Sequence, residues 1–341
     1  MEYIKEVNIN EAIIHILDSN ANSPILNEYK LGLDDENYKF ILKHVEKCLK
    51  DQQLRYAKFN NERNIVKEIS QEYLNGQNDL LTISKELAKQ LFTLMKSNDN
   101  IESCDLMIVS ISTEYGPMLG ILKMDYIKNY IHVIDTVENK IGINIAPEFT
   151  GLPMTASKIK KCAFIKPIRE GQEFNLMFID KQKKSKDSEE YGSNYFIKNY
   201  LGCNVIENER DMTRQLVENT DKFIKNNIDD VKTAVKTKDL LREKLKKEDT
   251  INIEDITDEI FKDETLKQEF INFNYENNID KPIEVDKEFV TKIVNTLKFK
   301  LNKNITLSIP EDIYSDINSF EVRDNGDGTA NIIIKDVCTI R

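Results

Sequence analysis

Leu106-Met107-Ile108-Val109-Ser110-Ile111-Ser112 and Met118-Leu119-Gly120-Ile121-Leu122-Lys123-Met124-Asp125-Tyr126 are two apolar runs separated by the turn-forming Tyr115-Gly116-Pro117. Short runs of this kind, bounded by turn residues, predict strands. Tyr130–Val137 and Ile141–Ile145 follow, with Lys128-Asn129 and Asn139-Lys140 read as tight hairpin connections, and then come Lys160–Pro167 and Phe174–Ile179. The whole reads as an antiparallel meander. Upstream, apolar residues recur at helical spacing. Asp34 or Asp35 can cap a helix carrying Tyr38, Ile41, Leu42, Val45, Cys48 and Leu49, and Glu62–Leu74 and Asp79–Lys96 are two further helical patterns. Ala12–Leu17 and Ile25–Leu33 read as a strand, a turn and a second strand. Helices that precede sequential strands, rather than alternate with them, predict an α+β fold.

Downstream, 180–190 carries no large apolar residue after Asp180 and reads as a linker or exposed loop. Helical patterns resume at Asn194–Leu201, Glu209–Ile228, Val231–Lys246, Glu254–Phe261, Glu264–Tyr275 and Asp286–Lys298. The chain then returns to strand at Ile305–Ile309, Phe320–Arg323 and Ala330–Lys335. Two domains are expected. Residues 1–185 form an N-terminal α+β domain of antiparallel sheet with helices. Residues 186–341 form a mainly helical domain ending in a small β-hairpin or sheet. The length, 341 residues, also favours two cores over one.

With 48 basic against 59 acidic residues the chain carries −11. That excludes a bulk-basic nucleic-acid coat, and any DNA contact needs a local patch. One basic stretch stands out. Lys158, Lys160, Lys161, Lys166, Arg169, Lys181, Lys183, Lys184 and Lys186 face only Glu170, Glu173 and Asp180 over 158–186, giving +6 there and −17 elsewhere. These nine are the candidate nucleic-acid-binding residues, through phosphate neutralisation and counterion release. A charge run that merely solvates a loop is the competing reading. Lysines outnumber arginines 40 to 8, a composition suited to backbone contact more than to reading guanine edges. A smaller basic stretch, Lys292, Lys298, Lys300 and Lys303, lies in a window free of acidic residues.

Catalytic motifs are missing: there is no phosphate-binding Gly-rich loop, no H-E-x-x-H and no G-x-S-x-G. No cofactor, metal or catalytic residue is assigned. His15 could pair with Asp18 or His44 as an acid–base or metal site, against the simpler reading of a buried, hydrogen-bonded imidazole. Asp324-Asn325-Gly326-Asp327-Gly328-Thr329 fails the register of a calcium loop and reads as a hairpin turn. The five cysteines are scattered and form no C-x-x-C pair, as expected of buried small apolar residues. The N-terminus has no basic signal-peptide region and no segment approaches a membrane span, so a cytoplasmic protein is expected.

Several words of the sequence, taken in order, resemble the bacterial nucleoid-associated protein family. They are Ile14-His15-Ile16-Leu17-Asp18, His44, Leu152-Pro153, Lys161-Cys162-Ala163-Phe164-Ile165, Asp180-Lys181, Tyr195-Phe196 and Leu201-Gly202-Cys203. The resemblance implies a non-catalytic protein of the nucleoid, without a residue-level site. Its partner would be the bacterial chromosome, as double-stranded DNA, met directly through sequence-tolerant backbone contacts or through other nucleoid proteins. The alternatives are a scaffold acting on DNA-processing enzymes without touching DNA, and a metal-dependent nucleic-acid enzyme. A homo-oligomer is compatible with all three.

Overall fold

A computed structural model describes residues 2–137, 140–153, 159–181, 194–228, 230–294, 296–300, 305–326 and 329–337. The chain divides into two compact units, Met1–Ile206 and Glu207–Arg341. The division falls after 206 and not near 185, because the tract that follows the expected linker completes the first unit's sheet.

That sheet has seven strands in the order β1-β3-β4-β7-β8-β2-β9, every neighbouring pair antiparallel. They are β1 (Val7–Leu17), β2 (Arg55–Phe59), β3 (Cys104–Thr113), β4 (Gly116–Asp125), β7 (Lys161–Ile165), β8 (Leu176–Asp180) and β9 (Cys203–Ile206). Helices cover both faces: α1 (Asp35–Leu49) on one, α2 (Ile65–Leu74) and α3 (Leu80–Lys96) on the other. This explains why Leu106–Val109 of β3 is a continuous apolar run and not an alternating one. Leu106 and Ile108 face α2 and α3, whereas Met107, Val109 and Ile111 face α1. Side-chain caps start the helices: Asp34 accepts from the Asn37 amide at 2.8 Å and Asp79 from that of Thr82 at 2.9 Å, each cap worth about 1 kcal/mol. Tyr195–Leu201 forms a π-helical turn on the α3 face. It is stopped by Gly202 in the left-handed conformation at φ 61°, with Tyr195, Phe196, Tyr200 and Leu201 all buried.

Four local expectations change. Ile25–Leu33 is not a strand: Ile25 bridges to Ile16, but the Asn27 amide is donated to the His15 ring at 3.0 Å and not to a β1 carbonyl, and the segment then runs irregularly beside β1. β2, which pairs with both β8 and β9, is a strand that the sequence pattern does not separate from its surroundings. The meander is interrupted, since β4 pairs directly with β7. The strands between them, β5 (Ile127–Val137) and β6 (Lys140–Thr150), pair, among the described residues, only with each other as a hairpin. Lys128 and Asn129 are not a turn. They lie within β5, opposite Phe149 and Glu148.

The second unit is mainly helical. α4 (Glu209–Asn227), α5 (Val231–Lys247), α6 (Ile253–Ile260), α7 (Glu264–Glu276) and α8 (Lys287–Val294) enclose a core centred on Phe223. A two-residue pair, β10 (Thr250–Ile251) with β11 (Ile283–Glu284), ties the helices together. Two hairpins, β12 (Thr296–Lys300) with β13 (Thr306–Pro310) and β14 (Phe320–Asp324) with β15 (Ala330–Ile334), close the unit, with the one-turn α9 (Glu311–Ser315) between them. The helix expected to reach Lys298 stops at Val294, because Thr296–Lys300 finds a pairing partner in β13. Asn325 closes the last turn by bonding Thr329, its amide to the carbonyl at 3.0 Å. Among the described residues no helix is long and apolar enough to cross a membrane.

Candidate nucleic-acid interface

The basic residues of 158–186 do not form one open patch. Lys158, Lys183, Lys184 and Lys186 lie outside the described residues. Lys160 and Lys161 stand at the start of β7 and Lys166 just past its end, about 17 Å away along an extended strand. Lys181 follows β8 on the Lys160 side.

Antiparallel register builds a charge network at that end of the sheet. Lys123 on β4 lies opposite Lys161 on β7, which lies opposite Asp180 on β8. Strand alternation puts Asp125 on the face of Lys123. Lys123 pairs with Asp125 and donates to the Glu102 carbonyl at 3.1 Å. Lys160 reaches Glu102 and Asp125, both at 3.3 Å. Lys161 pairs with Asp180, and its ammonium lies 4.9 Å from the centre of the Tyr195 ring, a cation–π distance. Lys181 pairs with Asp51. At the far end of β7, Lys166 pairs with Glu2 over the ring of Phe174. Arg169 is exposed.

Lys123, Lys161 and Lys166 are buried. Burial presses the Lys161 ammonium below its usual pKa, although Asp180 pulls the other way. Burial likewise raises the Asp105 carboxyl, which accepts from the Gly151 amide at 2.8 Å. A Cβ on Gly151 would fall 2.2 Å from the Met124 carbonyl, so the chain leaving the β5–β6 hairpin passes here only as glycine. Lys123, Asp125 and Glu102 were not among the sequence candidates. Their signal was Lys123 and Asp125 two apart on an apolar strand, where a solvent-facing strand would alternate and this one does not.

The histidines are kept apart. His15 lies between Ile13 and Leu17 on the α3 side of β1, whereas His44 sits on α1 across the sheet. His15 Nδ1 accepts from the Asn27 amide at 3.0 Å. Asp18 is occupied by Asn20 and Ser103. His44 contacts the carbonyls of Phe40 at 2.8 Å and Pro153 at 2.9 Å, holding the segment after β6 against α1. Burial, followed by the charge of Lys85, lowers the His15 pKa to about 4. The folded protein therefore keeps His15 neutral where an unfolded chain, titrating near pH ~6.5, would bind a proton. Stability is then full above pH ~6.5 and falls as the pH drops towards ~4, by about 3 kcal/mol in all. Urea midpoints measured across that window should show the fall, and His15→Gln should flatten it; equal slopes in both proteins would refute the assignment.

Cys48, Cys104, Cys162 and Cys203 are buried free thiols. Burial pushes the thiols of Cys104 and Cys203 up to about 12, far from nucleophilic at neutral pH. Among the described residues no three His, Cys, Asp or Glu side chains converge as a metal site.

The fold and its network define a two-unit α+β protein in which Lys123, Lys160, Lys161, Lys166 and Lys181 are each tied to a carboxylate of the same chain. A family model described as "Nucleoid-associated protein YejK" matches residues 13–340, and the chain belongs to that family. No curated protein matches it. Several words behind the resemblance meet in the first unit: Lys161 with Asp180, Tyr195 and Phe196, and His44 with Pro153.

Proposed function

We propose that the protein is a non-catalytic nucleoid component of the bacterial cytoplasm that reaches the chromosome mainly through a chromosome-bound protein. One observation carries this reading: Lys160, Lys161, Lys166 and Lys181 are each paired with a carboxylate of the same chain. Offering Lys161 or Lys166 to a phosphate would break a buried pair, and the chain's −11 charge opposes a duplex elsewhere. Direct backbone contact through Arg169, Lys158, Lys183, Lys184 and Lys186 is the second reading, favoured by the exposure of Arg169 and by the Lys-Lys-Ser-Lys word at 183–186.

Salt dependence separates the two. Each phosphate neutralised contributes about −0.9 to the slope of log K against log salt, so five contacts predict about −4.5. The expected result on unrelated duplexes is weak binding with a slope shallower than about −2, together with retention on isolated nucleoids and loss on the same DNA stripped of protein. A slope near −4.5 that shrinks to about −1.8 or less with Lys183→Glu, Lys184→Glu and Lys186→Glu together would establish the direct route instead.

A further inference from the structure

The outer face of α1 carries a row of lysines outside the 158–186 stretch. A helix turns about 100° per residue, so Lys39, Lys43, Lys47 and Lys50 fall within one arc of about 80°. Ile41, Val45, Cys48 and Leu49 lie on the opposite side and are buried against the sheet. All four lysines are exposed. The row runs about 16 Å along the helix axis, with neighbours about 6 Å apart. Lys50 pairs with Glu46 at 3.1 Å, whereas Lys39 and Lys47 reach no carboxylate among the described residues. Like charges one turn apart repel, and residues 39–50 stand at +3 in a chain of −11. The buried side of α1, with His44 held to the Pro153 carbonyl, fixes the helix. The row is therefore presented ready-ordered, which lowers the entropic cost of binding.

We propose that this row docks the acidic face of a protein helix, one carboxylate per turn, on the chromosome-bound partner. The inference rests on the indirect route to the chromosome and names the surface that route uses. Charge matching favours an acidic helix over a duplex. Along ~16 Å a duplex presents about nine phosphates, more than twice the ammoniums in the row. Asp34, Asp35 and Glu36 adjoin the row at the start of α1, and Glu46 stands within it. These carboxylates oppose the surplus phosphates at close range, where salt screens least. An acidic helix brings no such surplus, and carboxylates at every fourth position keep step with Lys39, Lys43 and Lys47. Lysine suits this partner, because an ammonium is a point charge that takes a carboxylate from any direction.

Lysine footprinting of the full chain on isolated nucleoids tests it. Acetic anhydride is applied to the free chain and to the chain retained on nucleoids, and acetylation is read by mass spectrometry. Lys39, Lys43 and Lys47 should be protected severalfold, while Lys89, exposed on α3 across the sheet, should react as before. Lys39→Glu, Lys43→Glu and Lys47→Glu together should weaken retention about tenfold, the sum of several weak surface pairs turned repulsive, at an unchanged urea midpoint. The footprint is read on the wild-type chain and does not depend on that variant folding. Retention with these lysines unprotected overturns the docking surface and leaves the indirect route standing. Equal protection on DNA stripped of protein makes the duplex the occupant and overturns the proposal. A chain that nucleoids do not retain removes the indirect route and the docking surface together.

Discussion

Replacing Lys161 by Met should destabilise the first unit by about 3–5 kcal/mol, the cost of removing one partner from a buried ion pair. Lys161 and Asp180 are 6% and 7% exposed, so water cannot take over from the lost ammonium. The apolar stem of Met still fills the space under Tyr195 and Phe196, which confines the change to charge. The matching double substitution, Lys161→Met with Asp180→Leu, should regain most of the loss, because two apolar groups of similar volume replace the pair. With no tryptophan in the chain, tyrosine fluorescence or circular dichroism against urea reads the midpoint. A single variant as stable as wild type would mean that the pair holds nothing together. In that case the objection to Lys161 as a phosphate contact would fall as well.

Phe223→Ala should cost the second unit a comparable amount, about 3–5 kcal/mol for a large aromatic removed from a core. Its ring lies 5.0 Å from Phe270, 5.8 Å from Phe261 and 5.9 Å from Phe273, so one truncation removes three ring contacts and joins the space they share. Hydrogen exchange resolved by segment should show protection lost first in α4, α6 and α7, the helices that meet at this ring. Phe223→Leu should lose less. Undiminished protection in α7 would place the centre of the unit elsewhere.

Much of the architecture was legible because periodicity and capping act locally. Asp34, Asp79 and Asn208 start helices whose apolar positions repeat every three or four residues, and α4 and α5 lie within one residue of their expected bounds. Gly202 ends the π-helical turn for the reason glycine ends helices, its tolerance of positive φ. Strand partners were less legible. β5 and β6 resemble core strands in composition, and only the pairing of β4 with β7 shows that they have left the sheet. The short β2 is a strand because β8 and β9 hold it from both sides. Thr296–Lys300 could continue a helix or pair, and β13 decides.

The nine basic residues show the same limit on function. The net +6 over 158–186 is a property of the chain, since side-chain charge at neutral pH follows from residue type. So are the α+β class and the family membership, both carried by the order of local patterns and words. Whether that charge faces solvent was decided by sheet register, which brings Asp180, Asp125 and Glu102 to Lys161 and Lys160, and Asp51 to Lys181, from as many as 130 residues away in the chain. Register in turn follows from burying two apolar faces at once, a requirement that involves every strand together and is therefore written in no single stretch of sequence.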